Sequence, residues 1–81
     1  MNTLVIIPVY NEEASIARVV RSVMDAGYDY VIINDGSSDN TAEVCRTHAF
    51  NCIDLPINRG ISAAFRTGVK YAQEHGFDCV V

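Results

Sequence analysis

The sequence has no tryptophan, only two prolines, and six lysines plus arginines against ten aspartates plus glutamates. A formal charge of −4 without a basic run excludes the electrostatic footprint of a DNA- or RNA-binding protein, so nucleic acid is not an expected partner. The cysteines, Cys45, Cys52 and Cys79, are odd in number and show neither C-x-x-C nor zinc-type Cys/His spacing. A disulfide framework is thereby excluded, and reduced thiols in a core are expected. No apolar run approaches the ~20 residues a bilayer-spanning helix needs. The longest uncharged apolar stretch is the first ten residues, and it contains Pro8. That start lacks a basic n-region and a small-residue cleavage site, which makes a cytoplasmic location the expectation. With 81 residues, 49% of them apolar, the chain has the material for one modest core, and a single domain over 1–81 is expected.

What is present alternates strand with helix. Thr3 to Ile7 is a β-branched apolar run closed by Pro8, the pattern of a strand buried on both faces. Asn11 has the chemistry of an N-cap, Glu12 and Glu13 would occupy the first turn, and Ile16, Val19, Val20, Val23 and Met24 recur at helical spacing until Gly27. Tyr28 to Ile33 repeats the strand pattern and breaks at Asn34-Asp35-Gly36-Ser37-Ser38. A second helix is expected from about Asp39, capped by Asn40 with Glu43 or by Asp39 itself. Cys52 to Leu55 reads as a third strand. Ile61, Ala64, Phe65, Gly68, Val69 and Ala72 mark one face of a third helix that stops at Gly76, and Phe77 to Val81 reads as a fourth strand. Strands joined by helices mean right-handed crossovers, hence an α/β fold with a parallel Rossmann-like sheet and helices on both faces. The apolar run Cys79-Val80-Val81 has no turn signal or polar tail after it, which gives the expectation of a domain that continues.

In such a sheet ligands bind beyond the carboxyl ends of the strands. The loops there are Pro8-Val9-Tyr10-Asn11-Glu12, Asn34 to Asp39, and Pro56-Ile57-Asn58-Arg59-Gly60. An aromatic ring, carboxylates, amides and an arginine therefore share one edge. Tyr10 could stack on a planar heterocycle, a carboxylate could accept ring N–H groups, and Arg59 or a helix N-terminus could meet a phosphate.

These three blocks, Ile6-Ile7-Pro8-Val9-Tyr10-Asn11-Glu12-Glu13, Val31 to Thr41 and Asn58-Arg59-Gly60 with Ala64 and Gly68 downstream, resemble the amino-terminal half of a family 2 glycosyltransferase of the GT-A fold. The resemblance covers the whole chain. It is to members such as dolichol-phosphate mannose synthases and bacterial polysaccharide glycosyltransferases. It implies sheet order three-two-one-four and a donor-binding role for a nucleotide-diphosphate sugar, UDP- or GDP-linked. By that resemblance Pro8, Tyr10 and Glu12 hold base and ribose, Asp35 hydrogen-bonds the base, and Asn58, Arg59 and Gly60 approach the nucleotide and its phosphates. The family's first acidic position is Asn34 here, a departure. The resemblance also implies a divalent metal, Mg or Mn, held by an Asp-x-Asp beyond the fourth strand, and a carboxylate base in the acceptor-binding half; neither is in this chain. The implied activity is inverting sugar transfer by the full-length enzyme, with the 81-residue chain inactive alone. Association of the full-length protein with the cytoplasmic membrane face is compatible with the resemblance.

Two other classes compete with that reading. One is a small non-enzymatic α/β binding or assembly module. The other, a phospho-receiver domain, needs an acidic pair after strand one and an aspartate after strand three; Pro-Val-Tyr-Asn and Pro-Ile-Asn stand there instead. Structural roles also compete residue by residue: Glu12 and Glu13 as first-turn stabilisers, Asp35 as a turn residue, Tyr10 as a packing aromatic, Arg59 as a solvated charge, and Ser37, Ser38 and Asp39 as caps. His48 and His75 are expected to be structural or solvent-exposed. The apolar Phe77 to Val81 edge is expected to drive self-association into a dimer or higher oligomer.

Overall fold

The computed structural model describes residues 2–81. Its elements run β1 (Thr3–Val9), α1 (Ile16–Asp25), β2 (Asp29–Asp35), α2 (Thr41–Thr47), β3 (Cys52–Leu55), α3 (Ile61–Glu74) and β4 (Cys79–Val80). The strands pair in parallel in the order β3-β2-β1-β4. Alternation along the central strands divides the core in two. Leu4 and Ile6 of β1 with Val31 and Ile33 of β2 face Ala64 and Ala72 of α3. Ile7 and Val9 with Ile32 face Ile16 and Val20 of α1 and Cys45 of α2. Helices thus cover both faces, and the α/β sheet expected from the sequence is the fold observed. No helix among the described residues is long and apolar enough to cross a membrane.

All three cysteines are free, and Cys45 is buried. Burial raises the Cys45 and Cys52 thiols above their ordinary range, so both stay protonated at neutral pH and serve as packing groups.

Several boundaries differ from the sequence reading, and one of them is β2, which spans Asp29–Asp35 and so carries Asn34 and Asp35 inside the strand instead of breaking at Asn34, because β3 pairs with it as far as Asp35. β1 runs through Pro8 to Val9 instead of stopping at Ile7. The Ile6 N–H donates to the Val81 carbonyl at 2.8 Å and the Val81 N–H to the Leu4 carbonyl at 3.0 Å, so even-numbered β1 residues address the β4 side. By alternation Pro8 turns its donorless nitrogen to that side, past the end of β4, where no ladder bond is lost. α1 begins at Ile16 rather than just after Asn11, because Asn11 has φ of 55° and residues 12–15 form a separate turn closed by Ser15 and Ile16 N–H groups on the Glu12 carbonyl. Glu12 and Glu13 therefore lie outside the first turn of α1. β4 is limited to Cys79–Val80, since the Phe77 N–H closes onto the Ala72 carbonyl of α3 and Asp78 and Cys79 both donate to Asn2.

α3 lies so close to β1 that a Cβ at Gly68 would come within 2.5 Å of Ile6 Cγ2. Glycine costs a helix interior roughly 1 kcal/mol relative to alanine, yet overpacking a core costs typically 1–3 kcal/mol, so the close approach wins. Gly68→Ala is expected to lower the unfolding free energy measured by urea melts, by up to ~2 kcal/mol net, and Ile6→Val in the same chain to recover part of that loss.

Candidate functional site

The site is built where the β1–α1, β2–α2 and β3–α3 loops meet at the carboxyl edge. The first two are tied together by Asn11. Its Oδ1 accepts the N–H groups of Ser38 at 2.8 Å and Asp39 at 3.2 Å, while its own N–H donates to Ser37 Oγ at 3.0 Å. The residue expected to cap α1 instead secures the entry to α2, and a short amide side chain tolerates the left-handed backbone this requires. The Glu12 N–H donates to Thr41 Oγ1 at 3.0 Å and the Glu13 N–H to Asp39 Oδ2 at 3.3 Å. Asp39 caps α2 through the Thr41 N–H at 2.9 Å. The Thr41 hydroxyl, the largest influence, holds the Asp39 carboxyl below the ordinary carboxylate range. A depressed carboxyl of this kind supports the fold above its unfolded value and ceases to as pH falls through the folded one.

Asp35 ends β2 almost wholly buried, 4% exposed. Its carboxylate accepts the Arg59 N–H at 2.8 Å on Oδ1, and the Gly60 N–H at 2.9 Å and Asn58 Nδ2 at 3.2 Å on Oδ2. Gly36 makes this contact feasible: with φ of +67°, a Cβ there would fall 2.3 Å from the Asn58 nitrogen. Asp35 is therefore neither a solvated carboxylate nor a turn residue bonding its own backbone; it clamps the third loop. A carboxylate offers about four lone-pair sites, so one acceptor position on Oδ1 stays unclaimed by the chain.

Asn34 explains its own departure. Buried at 3% exposure, it donates from Nδ2 to Asp54 Oδ1 at 2.9 Å and accepts the Ser37 hydroxyl on Oδ1. A second acid there would face Asp54 as a like charge.

The expected site residues divide. Pro8, Tyr10, Glu12 and Asp35 converge, with Val9 and Ile61, on a hollow of about 200 Å³. Tyr10 is 48% exposed at its rim. Glu12 Oε2 accepts the Ser15 hydroxyl at 2.8 Å, and its other carboxylate oxygen has no partner among the described residues. Pro8 also lines adjoining troughs of about 280 Å³ against α1 and 600 Å³ against α3. Asn58, Arg59 and Gly60 do not line the hollow; they act through Asp35, and the Arg59 side chain lines a different groove. Sequence reasoning missed Ile61 as a wall and Thr41 as a loop tie, which only contacts between distant segments reveal, and Asn11 as a loop tie, since a positive φ leaves no periodic signal. A hollow of about 460 Å³ at the opposite edge, between Tyr28, Tyr30, Tyr71 and Phe77, has Asp29 as its one charged lining residue. No group of three or more His, Cys, Asp or Glu among the described residues is disposed to hold a metal ion, so no chemistry is assigned to a metal on this chain.

Residues 4–77 match the family model described as Glycosyl transferase family 2. The chain is 38% identical over 78 residues to the poly-beta-1,6-N-acetyl-D-glucosamine synthase of Staphylococcus epidermidis, an alignment covering 88% of this chain and 19% of that protein. It is 35% identical over 80 residues to the uncharacterized glycosyltransferase YkcC of Bacillus subtilis, covering 85% of this chain and 25% of the relative. The chain thus spans about a fifth to a quarter of these relatives. Among solved structures, glucosyl-3-phosphoglycerate synthase of Mycobacterium tuberculosis in complex with UDP superposes with a TM-score of 0.66 at 21% identity, covering 79% of this chain and 27% of that one. That likeness is one of fold.

Replacing the Asn34 amide by an acid sets two carboxylates at hydrogen-bond distance and strips Asp54 of its donor. Asn34→Asp is expected to cost ~1–3 kcal/mol at neutral pH. One carboxyl of the new pair is held protonated, so its folded value rises and stability returns as pH is lowered toward about 4. Urea melts at both pH values check this; a loss that does not shrink in acid removes the like-charge explanation.

Proposed function

The chain belongs to glycosyl transferase family 2, and from that membership we propose that these residues are the donor-binding part of an inverting transferase acting on a UDP- or GDP-linked sugar. The observation that supports this reading most is the convergence of Tyr10, Glu12 and Asp35 on one hollow at the carboxyl edge of the parallel sheet. The exposed Tyr10 ring offers a face on which a base stacks. The unclaimed lone pair of Asp35 Oδ1 accepts a ring N–H, and the free oxygen of Glu12 a ribose hydroxyl. Clamping of Asp35 by the Arg59 and Gly60 N–H groups fixes where that acceptor points before ligand arrives. Transfer itself joins an acceptor hydroxyl oxygen to the anomeric carbon while the bond to the diphosphate breaks. That step calls for a base at the hydroxyl and, in the implied whole enzyme, Mg or Mn against the leaving diphosphate, which supplies charge neutralisation when bound. Both are assigned to parts of the full-length enzyme other than these residues, so the 81-residue chain is expected to bind nucleotide weakly and transfer no sugar.

Titration of the labelled chain with UDP and GDP, followed by amide NMR, tests the site. Shifts are expected at Tyr10, Glu12, Asp35 and residues 58–60; shifts gathered around Gly27 and Gly76 would overturn it. Asp35→Ala should abolish binding, but it also releases the third loop, so Tyr10→Ala is the cleaner variant. Loss of base stacking, roughly 1–3 kcal/mol, predicts weakening of about tenfold with the fold intact.

The second part of the proposal is self-association. β4 pairs with β1 on one side only, and Val81 beside it is 63% exposed. A second copy pairing along this edge gives a dimer about a two-fold, or a higher oligomer. Sedimentation over a concentration series should show mass rising with concentration, whereas a monomer throughout would rule the assembly out.

A further inference from the structure

The hollow of about 460 Å³ at the edge where the strands begin shares no lining residue with the cavities of the carboxyl edge. That volume lies within the roughly 300–1,000 Å³ typical of small-molecule sites. Its polar groups are arranged by Asn51, just ahead of β3. The Asn51 N–H donates to the Tyr30 hydroxyl at 3.1 Å, and Asn51 Nδ2 donates to the Tyr71 hydroxyl at 3.0 Å and the Tyr30 carbonyl at 2.9 Å. Each phenol oxygen is therefore held as an acceptor, and each keeps an O–H to donate. Both protons of the amide are spent, and its Oδ1 has no partner among the described residues. Asp29, exposed at the start of β2, adds a carboxylate. Two of the aromatic rings are fixed: Tyr71 stacks on His75 with centroids 4.0 Å apart, and Tyr30 meets Phe50 edge-on at 6.5 Å. Tyr28, half-exposed, enters no such pair among the described residues, so its ring is open to a ligand.

We propose that this hollow binds a neutral pyranose, as a single sugar or as the end unit of a saccharide chain. Two hydroxyl donors, an amide oxygen and a carboxylate set among aromatic walls match a ring that carries donors and acceptors on its rim and C–H groups on its faces. An anion does not fit, because no lysine or arginine among the described residues lines the hollow and Asp29 repels negative charge. An organic cation would meet Asp29 and the ring faces favourably, but the two phenol O–H groups would lose water without gaining an acceptor. A sugar oxygen accepts from each. A glucose-type ring, whose hydroxyls all project equatorially, keeps both faces apolar for contact with Tyr28. The inference does not rest on the donor-site reading: that site uses residues at the other end of the strands, and either can fail without the other.

The experiment titrates the labelled full chain with methyl β-D-glucopyranoside and follows amide NMR shifts. Saturable shifts are expected at Tyr28, Asp29, Asn51 and Phe77, with Tyr10, Glu12 and Asp35 unmoved. Tyr71→Phe keeps the ring on His75 and removes one O–H; it should weaken binding about fivefold, the worth of one net hydrogen bond. Tyr28→Ala, at an exposed position between α1 and β2, should weaken it at least as much, whereas Arg18→Gln on α1 should not change it. Sorbitol, an open-chain polyol without ring faces, is expected to give no saturable shift. Tetramethylammonium and uridine serve as the competing probes, one for a cation site and one for a site that takes a flat heterocycle. Shifts that do not saturate with the glucoside, that fall on Tyr10, Glu12 and Asp35 instead, or that persist with equal affinity in either tyrosine variant overturn the proposal. Equal affinity for sorbitol, or tighter binding of tetramethylammonium or uridine at the same residues, overturns it as well.

Discussion

A single buried carboxylate, that of Asp35, determines how the carboxyl edge of this sheet is arranged. Two backbone N–H groups and an amide from the β3–α3 loop end on it, and charge-assisted bonds of this kind are roughly twice as strong as neutral ones. Together with the Asn58 amide on the Asp35 backbone carbonyl, they anchor the turn from β3 into α3 on β2 and so fix the start from which α3 lies across β1. The loop is pressed so close to Gly36 that no side chain fits between them. Asp35 thus makes two loops from distant parts of the chain behave as one surface. The chemistry proposed for that surface depends on a carboxylate whose direction was settled in folding.

Asn34 and Asp54 show how neighbouring positions adjust to one another. An amide at the end of β2 lets β3 carry an acid opposite it, and the pair closes a hydrogen bond between strands where two acids would repel. In this chain the amide at Asn34 and the acid at Asp54 are thus complementary. The departure from the family's acidic pair alters the charge at the site by one unit and leaves the Asp35 clamp in place.

Much of this was legible in the sequence because it is periodic. The apolar runs of β1 and β2, the helical spacing from Ile61 to Ala72, and the alternation of strand with helix fixed the fold class, and the motif resemblance supplied strand order and the candidate site residues. What stayed hidden depends on backbone angles and on contacts between loops. Asn11 looks like a helix cap by chemistry but ties loops instead, because its left-handed conformation turns the amide toward the Ser38 and Asp39 N–H groups in the loop ahead of α2. Pro8 looks like a strand terminator, and only the pairing pattern reveals that its nitrogen faces the side where no donor is needed. Asn58, Arg59 and Gly60 were recognisable as candidates, while their hydrogen bonds to Asp35 are contacts across more than twenty residues that no local pattern announces.

The position of Pro8 also sets a limit on growth. A parallel strand zipped onto β1 from the β4 side finds a donor at Ile6 and none two residues on, so each attempt to lengthen that ladder forfeits a rung at the same place. That same proline lines the hollow it shares with Tyr10 and Asp35, so the residue that withholds a rung from one side of β1 also forms a wall of the site.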